Sequence, residues 1–264
     1  MRSSKSGISF KAVRIAILLT ILIIVGLNAW QTKAKITSWK HPLWVVIYPI
    51  NGDNSETSSL YIDSLEKESF ETIETFLEVE ANRFGLDIDE PITIQIAPEI
   101  KSMPPKAPQK ANVLKIMWWS LKLRYWAYVS NSYKGPAANI KMFVIYYDPA
   151  THKELEHSLV AEKSYIGVVR AFSSKKLEEK NNVVITHELL HTTGATDKYN
   201  PITTQPVNPE GYADPKRIPL YPQVRAEIMG GRIPLSKTRS KMPSNLGEVS
   251  IGEKTATEIN WRKN

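Results

Sequence analysis

The segment VVITHELLHTTGATDKY, residues 183–199, leaves the backbone few options. At about 100° per residue, His187, Glu188 and His191 fall within one arc of a helix together with Val184, while Leu189 and Leu190 point to the opposite side. Such a helix buries its leucines and presents a His-His-Glu face. Gly194 stands three residues past the second histidine, where helices commonly end in a left-handed turn that glycine alone adopts without strain. The chain then doubles back, and Asp197 is the first carboxylate that can return to the histidines. Only five histidines occur in 264 residues, so two of them one turn apart call for a reason.

Imidazoles at i and i+4 are neighbours on a helix surface and can reach one metal ion. A glutamate directly after the first histidine sits too far round to join that coordination and is aimed instead at a water, the arrangement of the HExxH signature. A metal so held needs a third protein ligand. No histidine follows His191 and the chain has no cysteine, so a carboxylate must serve. Asp197 is the nearest. Glu227 is the other candidate, on the pattern of peptidases whose third ligand is a glutamate from a later helix. Tyr199 is placed to donate a hydrogen bond to an oxyanion, and Tyr212 and Tyr221 are also available for that role.

The string His187-Glu188-x-x-His191-x-x-Gly194-x-x-Asp197-x-Tyr199, followed by Ala226-Glu227-Ile228-Met229-Gly230-Gly231, resembles the metzincin-type zinc peptidases whose third ligand is aspartate, the snapalysin and immune-inhibitor-A groups among them. The resemblance covers roughly residues 180–231. It implies that His187, His191 and Asp197 bind Zn2+, that Glu188 is the general base, and that Met229 is the methionine of a turn beneath the metal. The interval from Asp197 to Met229 looks longer than in the snapalysin pattern, and the N-terminal half matches no motif of these groups.

The rest of the chain supplies a scaffold. PLWVVIYPI (42–50), ITIQIA (92–97), IKMFVIYYD (140–148) and SYIGVVRAF (164–172) read as strands, with 140–148 or 164–172 as the edge that would pair with an extended substrate. Apolar residues at three- and four-residue steps between glutamates predict one long helix from Glu56 to Phe84. Four prolines between Pro98 and Pro108 make that segment a loop. Residues 111–129 fit a helix with a strongly aromatic face, expected to be core. His152 and His157 lie in a polar segment and read as solvated loop residues, and a short helix is expected from Lys254 to Trp261. The order of elements predicts an α+β domain with one mixed sheet packed on the long helix and on the metal-binding helix, metzincin-like by the resemblance.

Net charge of +7 would suggest a polyanion partner, but the seven excess cations all lie within residues 1–40, which hold no acid, and the remaining 27 basic residues equal the 27 acidic ones. Nucleic-acid binding, which needs a concentrated cationic surface, is not expected. Those early cations flank an apolar run, AILLTILIIVGLNAW at 16–30. The expected organisation is a basic leader at 1–14, a transmembrane signal anchor at 15–30, a linker at 31–41 and a zinc metallopeptidase domain at 42–264. No small-residue pair at the spacing of a cleavage site follows the run outside a lysine-rich stretch, so the anchor is expected to stay uncleaved in the inner membrane. The order of basic leader, apolar core and polar exit places the catalytic domain in the periplasm or outside the cell. The expected activity is zinc-dependent cleavage of polypeptide substrates. The alternatives are a cell-wall or other amide hydrolase, and a membrane-tethered binding protein in which metal only stabilises the fold.

Overall fold

Why some strands read as unbroken apolar runs is answered by the sheet. In the computed structural model, which describes residues 10, 11, 13–15, 19, 20, 23, 36–108, 112–155, 159–161 and 165–262, five strands form one sheet in the order β2-β1-β3-β5-β4. These are β1 (Leu43–Asn51), β2 (Ile92–Ile96), β3 (Ile140–Tyr147), β4 (Leu159–Ala161) and β5 (Ile166–Phe172). Four run parallel, and β4 alone is antiparallel, with Leu159 opposite Val168 and Ala161 opposite Ile166. Interior strands β1 and β3 are covered on both faces and are apolar at nearly every position, whereas edge strand β2 alternates.

One face of the sheet, carrying Val46, Tyr48, Phe143, Ile145 and Val168, packs against Leu123 and Ala127 of helix α3 (Val113–Val129). On the other face lie α1 (Glu56–Asp63), α2 (Glu71–Arg83) and α4 (Glu178–Thr193), with Tyr61 of α1 against Tyr146 of β3 at 5.1 Å between ring centroids. The result is a mixed α/β architecture, a mainly parallel sheet flanked by helices. The expected single mixed sheet is present, and because its mainly parallel strands alternate with helices along the chain the class is α/β where α+β was expected. Beyond residue 200 regular structure is sparse: two-residue strands β6 (Ala226–Glu227), β7 (Ile233–Pro234), β8 (Ser240–Lys241) and β9 (Val249–Ser250), then helix α5 (Glu253–Glu258).

Three expectations change. The segment from 56 to 84 is two helices, not one long one. The hydroxyl of Ser64 donates to the Tyr61 carbonyl at 2.7 Å as α1 ends, and Glu66 and Ser69 cap one another's backbone at the 3-10 turn Lys67–Phe70 that leads into α2. The buried amide of Asn182 on α4 donates to Ser69 O at 2.8 Å and to Thr72 at 3.0 Å, so the break is tied to the helix that bears the histidines. The sheet edges are β2 and β4, of which β4 pairs with β5 alone among the described residues; β3 is interior and β5 is flanked on both sides. And α3 is core on one side only: Leu123 and Ala127 are buried with Trp119 and Trp126 half-buried against the same core, while Trp118, Leu121 and Tyr125 of the expected aromatic face are exposed.

The chain divides into two compact units, Met1–Ser38 and Trp39–Asn264. The expected anchor at 15–30 lies almost wholly outside the described residues; of it, Ile15, Leu19, Thr20 and Ile23 are described, each helical and exposed. No helix among the described residues is long and apolar enough to cross a membrane.

Candidate metal centre

Asn181 fixes the start of α4 to the end of β5, its side chain accepting from Phe172 N at 3.1 Å and donating to Phe172 O at 2.8 Å. Leu189 and Leu190 are buried, as the wheel requires, and His187 and His191 are left mostly covered on the other side. The helix stops at Gly194, whose φ of 115° lies in the left-handed region. A side chain there would be strained, and its first carbon would lie 3.3 Å from Glu258 O.

The reversal delivers Asp197. Its Oδ1 lies 3.2 Å from His187 Nε2 and 3.1 Å from His191 Nε2, and the two Nε2 atoms are 3.1 Å apart. This is a nearly equilateral triangle of lone-pair donors. Ligands bound tetrahedrally to zinc at about 2.0–2.1 Å would stand about 3.3 Å from one another, so donor type and spacing both fit. These three residues form one group of ligand atoms able to hold a metal ion. Both rings are oriented from behind. His187 Nδ1 is 2.8 Å from Ile228 O and His191 Nδ1 is 2.8 Å from Ala195 O. A carbonyl only accepts, so each Nδ1 carries the proton and each Nε2 of a neutral ring turns a lone pair into the triangle.

Electrostatics follow this packing. Burial opposes charge on Asp197, but when the histidine rings also carry a proton on Nε2, their hydrogen bonds and positive charge outweigh it and hold the carboxyl well below the usual range. Burial likewise disfavours the charged form of His187, yet the bond to Asp197, the charge of Glu188 and the Ile228 carbonyl raise its pKa. Glu188 is buried and lines a cavity of about 320 Å³ together with His187, Tyr199, Phe172, Ile228 and Gly230. The Tyr199 ring lies 6.3 Å from that of His187 between centroids. Burial, then the charge of Asp197 and a hydrogen bond to it, push the Tyr199 phenol up to about 12. The other two tyrosines are occupied with each other, Tyr212 and Tyr221 sharing a 2.7 Å hydrogen bond.

Glu227 is not brought to the triangle. It is fully buried, and its carboxylate accepts from Gly230 N at 2.7 Å, Gly252 N at 3.0 Å and the Thr255 hydroxyl at 2.6 Å. Burial raises its pKa against the pull of those donors. Its work is to fold the turn Ile228–Gly230, which contains the buried Met229 and supplies the Ile228 carbonyl behind His187. Met229 O in turn accepts from Lys198 N at 2.9 Å, joining the turn to the segment that carries Asp197. His152 is not in the cluster, and His157 lies outside the described residues.

Two side chains essential to this geometry were not foreseen. The Lys198 ammonium, buried, donates to Glu258 at 2.7 Å and to Thr196 O at 2.8 Å, while Glu258 also accepts from Thr196 N and its hydroxyl, both at 2.9 Å. Glu258 of α5 thus holds the returning segment on both sides of Asp197. A lysine beside a presumed ligand is a faint signal; its partner 60 residues later gives none.

No family model and no curated protein matches the sequence. Among solved structures, a chain from one described as "Structure of a chaperone-substrate complex" aligns at 15% identity with a TM-score of 0.40, over 83% of this chain and 33% of that one. This chain therefore spans about a third of the length of that structure.

Proposed function

We propose that this chain is a zinc-dependent endopeptidase of the metzincin kind, with His187, His191 and Asp197 as ligands and a polypeptide as substrate. The observation that carries the reading is the triangle of three acceptor atoms with both rings fixed in the ligating tautomer. A zinc ion held there supplies a Lewis acid that polarises a carbonyl and lowers the pKa of water to about 7. The chain's own groups do the rest. Glu188, one position past His187 and lining the cavity, accepts a proton from the attacking water and returns it to the leaving amine. Tyr199, lining the same cavity, donates a hydrogen bond to the carbonyl oxygen as charge develops on it. The free side of β4, which lies against α4, offers a sheet edge to an extended substrate backbone. In this reading the unit that holds the site works outside the cytoplasm, tethered through residues 15–30.

The test is direct. Protein purified without chelator is expected to hold one zinc per chain by plasma mass spectrometry and to cleave casein, and Glu188→Gln to keep the zinc while losing about 10²–10⁴ in rate. Absence of stoichiometric zinc defeats the proposal. Activity on purified sacculi and none on casein would move it to amide hydrolysis of cell wall.

A further inference from the structure

Helix α3 carries its apolar face outward. Opposite the buried pair Leu123 and Ala127, the wheel places Leu114, Trp118, Leu121 and Tyr125, and these are exposed, at 73% for Leu114, 61% for Trp118 and 69% for Tyr125. Single exposed apolar residues need no explanation, but several large ones side by side on one helix face mark a contact surface. The cations are arranged to match. Lys115 and Lys122 flank the apolar face on one side and Arg124 on the other, and the helix holds no acidic residue. The Lys122 ammonium lies 5.6 Å from the centre of the Trp118 ring, at the boundary of the two zones.

The adjoining loop is held onto the same region. Trp119 donates to Pro105 O at 2.9 Å and Trp126 to the Ser102 hydroxyl at 3.0 Å, and between these anchors Met103 is exposed. The helix is apolar nearly all round, so the sheet covers one side and the other calls for a cover of its own. Aromatic rings with flanking cations suit a membrane interface, the rings at headgroup depth and the lysines reaching to phosphates. A second copy of the chain is a poorer match, since face-to-face contact would bring cations onto cations with no carboxylate on either helix to pair them.

We propose that α3 is an interfacial helix that lays its outer face on an anionic lipid surface. The inference stands on the exposure and charge of α3 alone and does not depend on the peptidase reading. It gives the molecule a membrane contact within the unit that bears the metal centre.

The chain has no cysteine, which allows single labels in the full-length protein. Leu121→Cys carrying an environment-sensitive fluorophore is reconstituted with vesicles of phosphatidylcholine alone or with phosphatidylglycerol added. Because a tether elsewhere in the chain would not by itself bury this position, the label reports on α3. The expected result is a blue shift with the anionic vesicles, weakened by about a hundredfold in lipid partitioning when Lys115, Lys122 and Arg124 are all changed to Glu. Unchanged circular dichroism and urea-unfolding midpoint in both variants verify that the fold is intact. A label that stays in water with both vesicle types overturns the proposal. So does a shift that appears without lipid and grows with protein concentration, which would assign the face to a second copy, or one that appears only on adding a soluble protein partner.

Discussion

Asp197 and Glu227 are both acids within reach of the same turn, yet their surroundings give them opposite work. Asp197 is 43% exposed and directs an oxygen at two imidazoles, whereas Glu227 has no exposed surface and accepts from three donors. Replacing Asp197 by Asn leaves a weaker, neutral ligand, and zinc content is expected to fall below one per chain with the fold retained. Glu227→Gln instead sets an amide NH2 against backbone N–H donors, with an expected cost of about 2–4 kcal/mol. Urea unfolding reads that loss, and zinc content at low denaturant should stay at one per chain. Reversed outcomes would make Glu227 the ligand. Tyr199 makes a separate prediction: Tyr199→Phe, which removes the phenolic donor, is expected to lower kcat on the order of 10² with zinc content unchanged.

Between elements, the decisive contact is the grip of α5 on the segment after α4. Burial works against charge on Glu258, but Lys198 and Thr196 lower its pKa below the ordinary 4.5. A depressed folded pKa means that the folded form binds the proton less readily than the unfolded one. The contribution to stability is therefore complete above about 4.5 and drains away as pH falls through the lower folded value. Glu258→Gln is expected to cost about 2–3 kcal/mol at neutral pH, and its deficit against the parent should shrink below pH 4 in urea melts at stepped pH. A deficit constant down to pH 3 would show the charge to be irrelevant.

This contact also marks where sequence stops being legible. His187, Glu188, His191, Gly194 and Asp197 lie within 11 residues, so helical spacing and one turn suffice to bring them together. Glu258 meets Lys198 only through the tertiary path of the last third of the chain, where no period guides a reading. Strand positions were legible because double burial writes itself as continuous apolar runs, yet their order was not, and the edge fell to the three-residue β4 inside a polar stretch. In α3 the composition is apolar nearly all round, so periodicity marks a helix without saying which face the sheet covers. The split of 56–84 was missed for the opposite reason: both halves keep the same apolar step, and the interruption is made by Ser64, Glu66 and Ser69 through side-chain bonds to backbone.

At the scale of the whole molecule, the sheet and the candidate metal centre draw on different parts of the chain. Strands β1, β2, β3 and β5 come from residues 43–172, and β1, β3 and β5 share a continuous core with α3 and with Ala97 and Ile100 just after β2. The site is assembled from the end of α4, the return at 195–198, the turn at 228–230 and α5, joined by hydrogen bonds and by the buried Ala195, Ile228, Met229 and Ala256. An ion that binds the folded form alone stabilises by about 2.7 kcal/mol when present at a hundred times its Kd, and that free energy is delivered where the ligands converge. Removing zinc with a chelator should therefore loosen the assembly locally rather than unfold the chain. Amide hydrogen exchange is expected to quicken at 191–200, 226–231 and 253–259 while β1 and β3 keep their protection. Uniform loss of protection across both sets would mean that the centre and the sheet fold as one unit; no change at either would mean that the three ligands hold nothing.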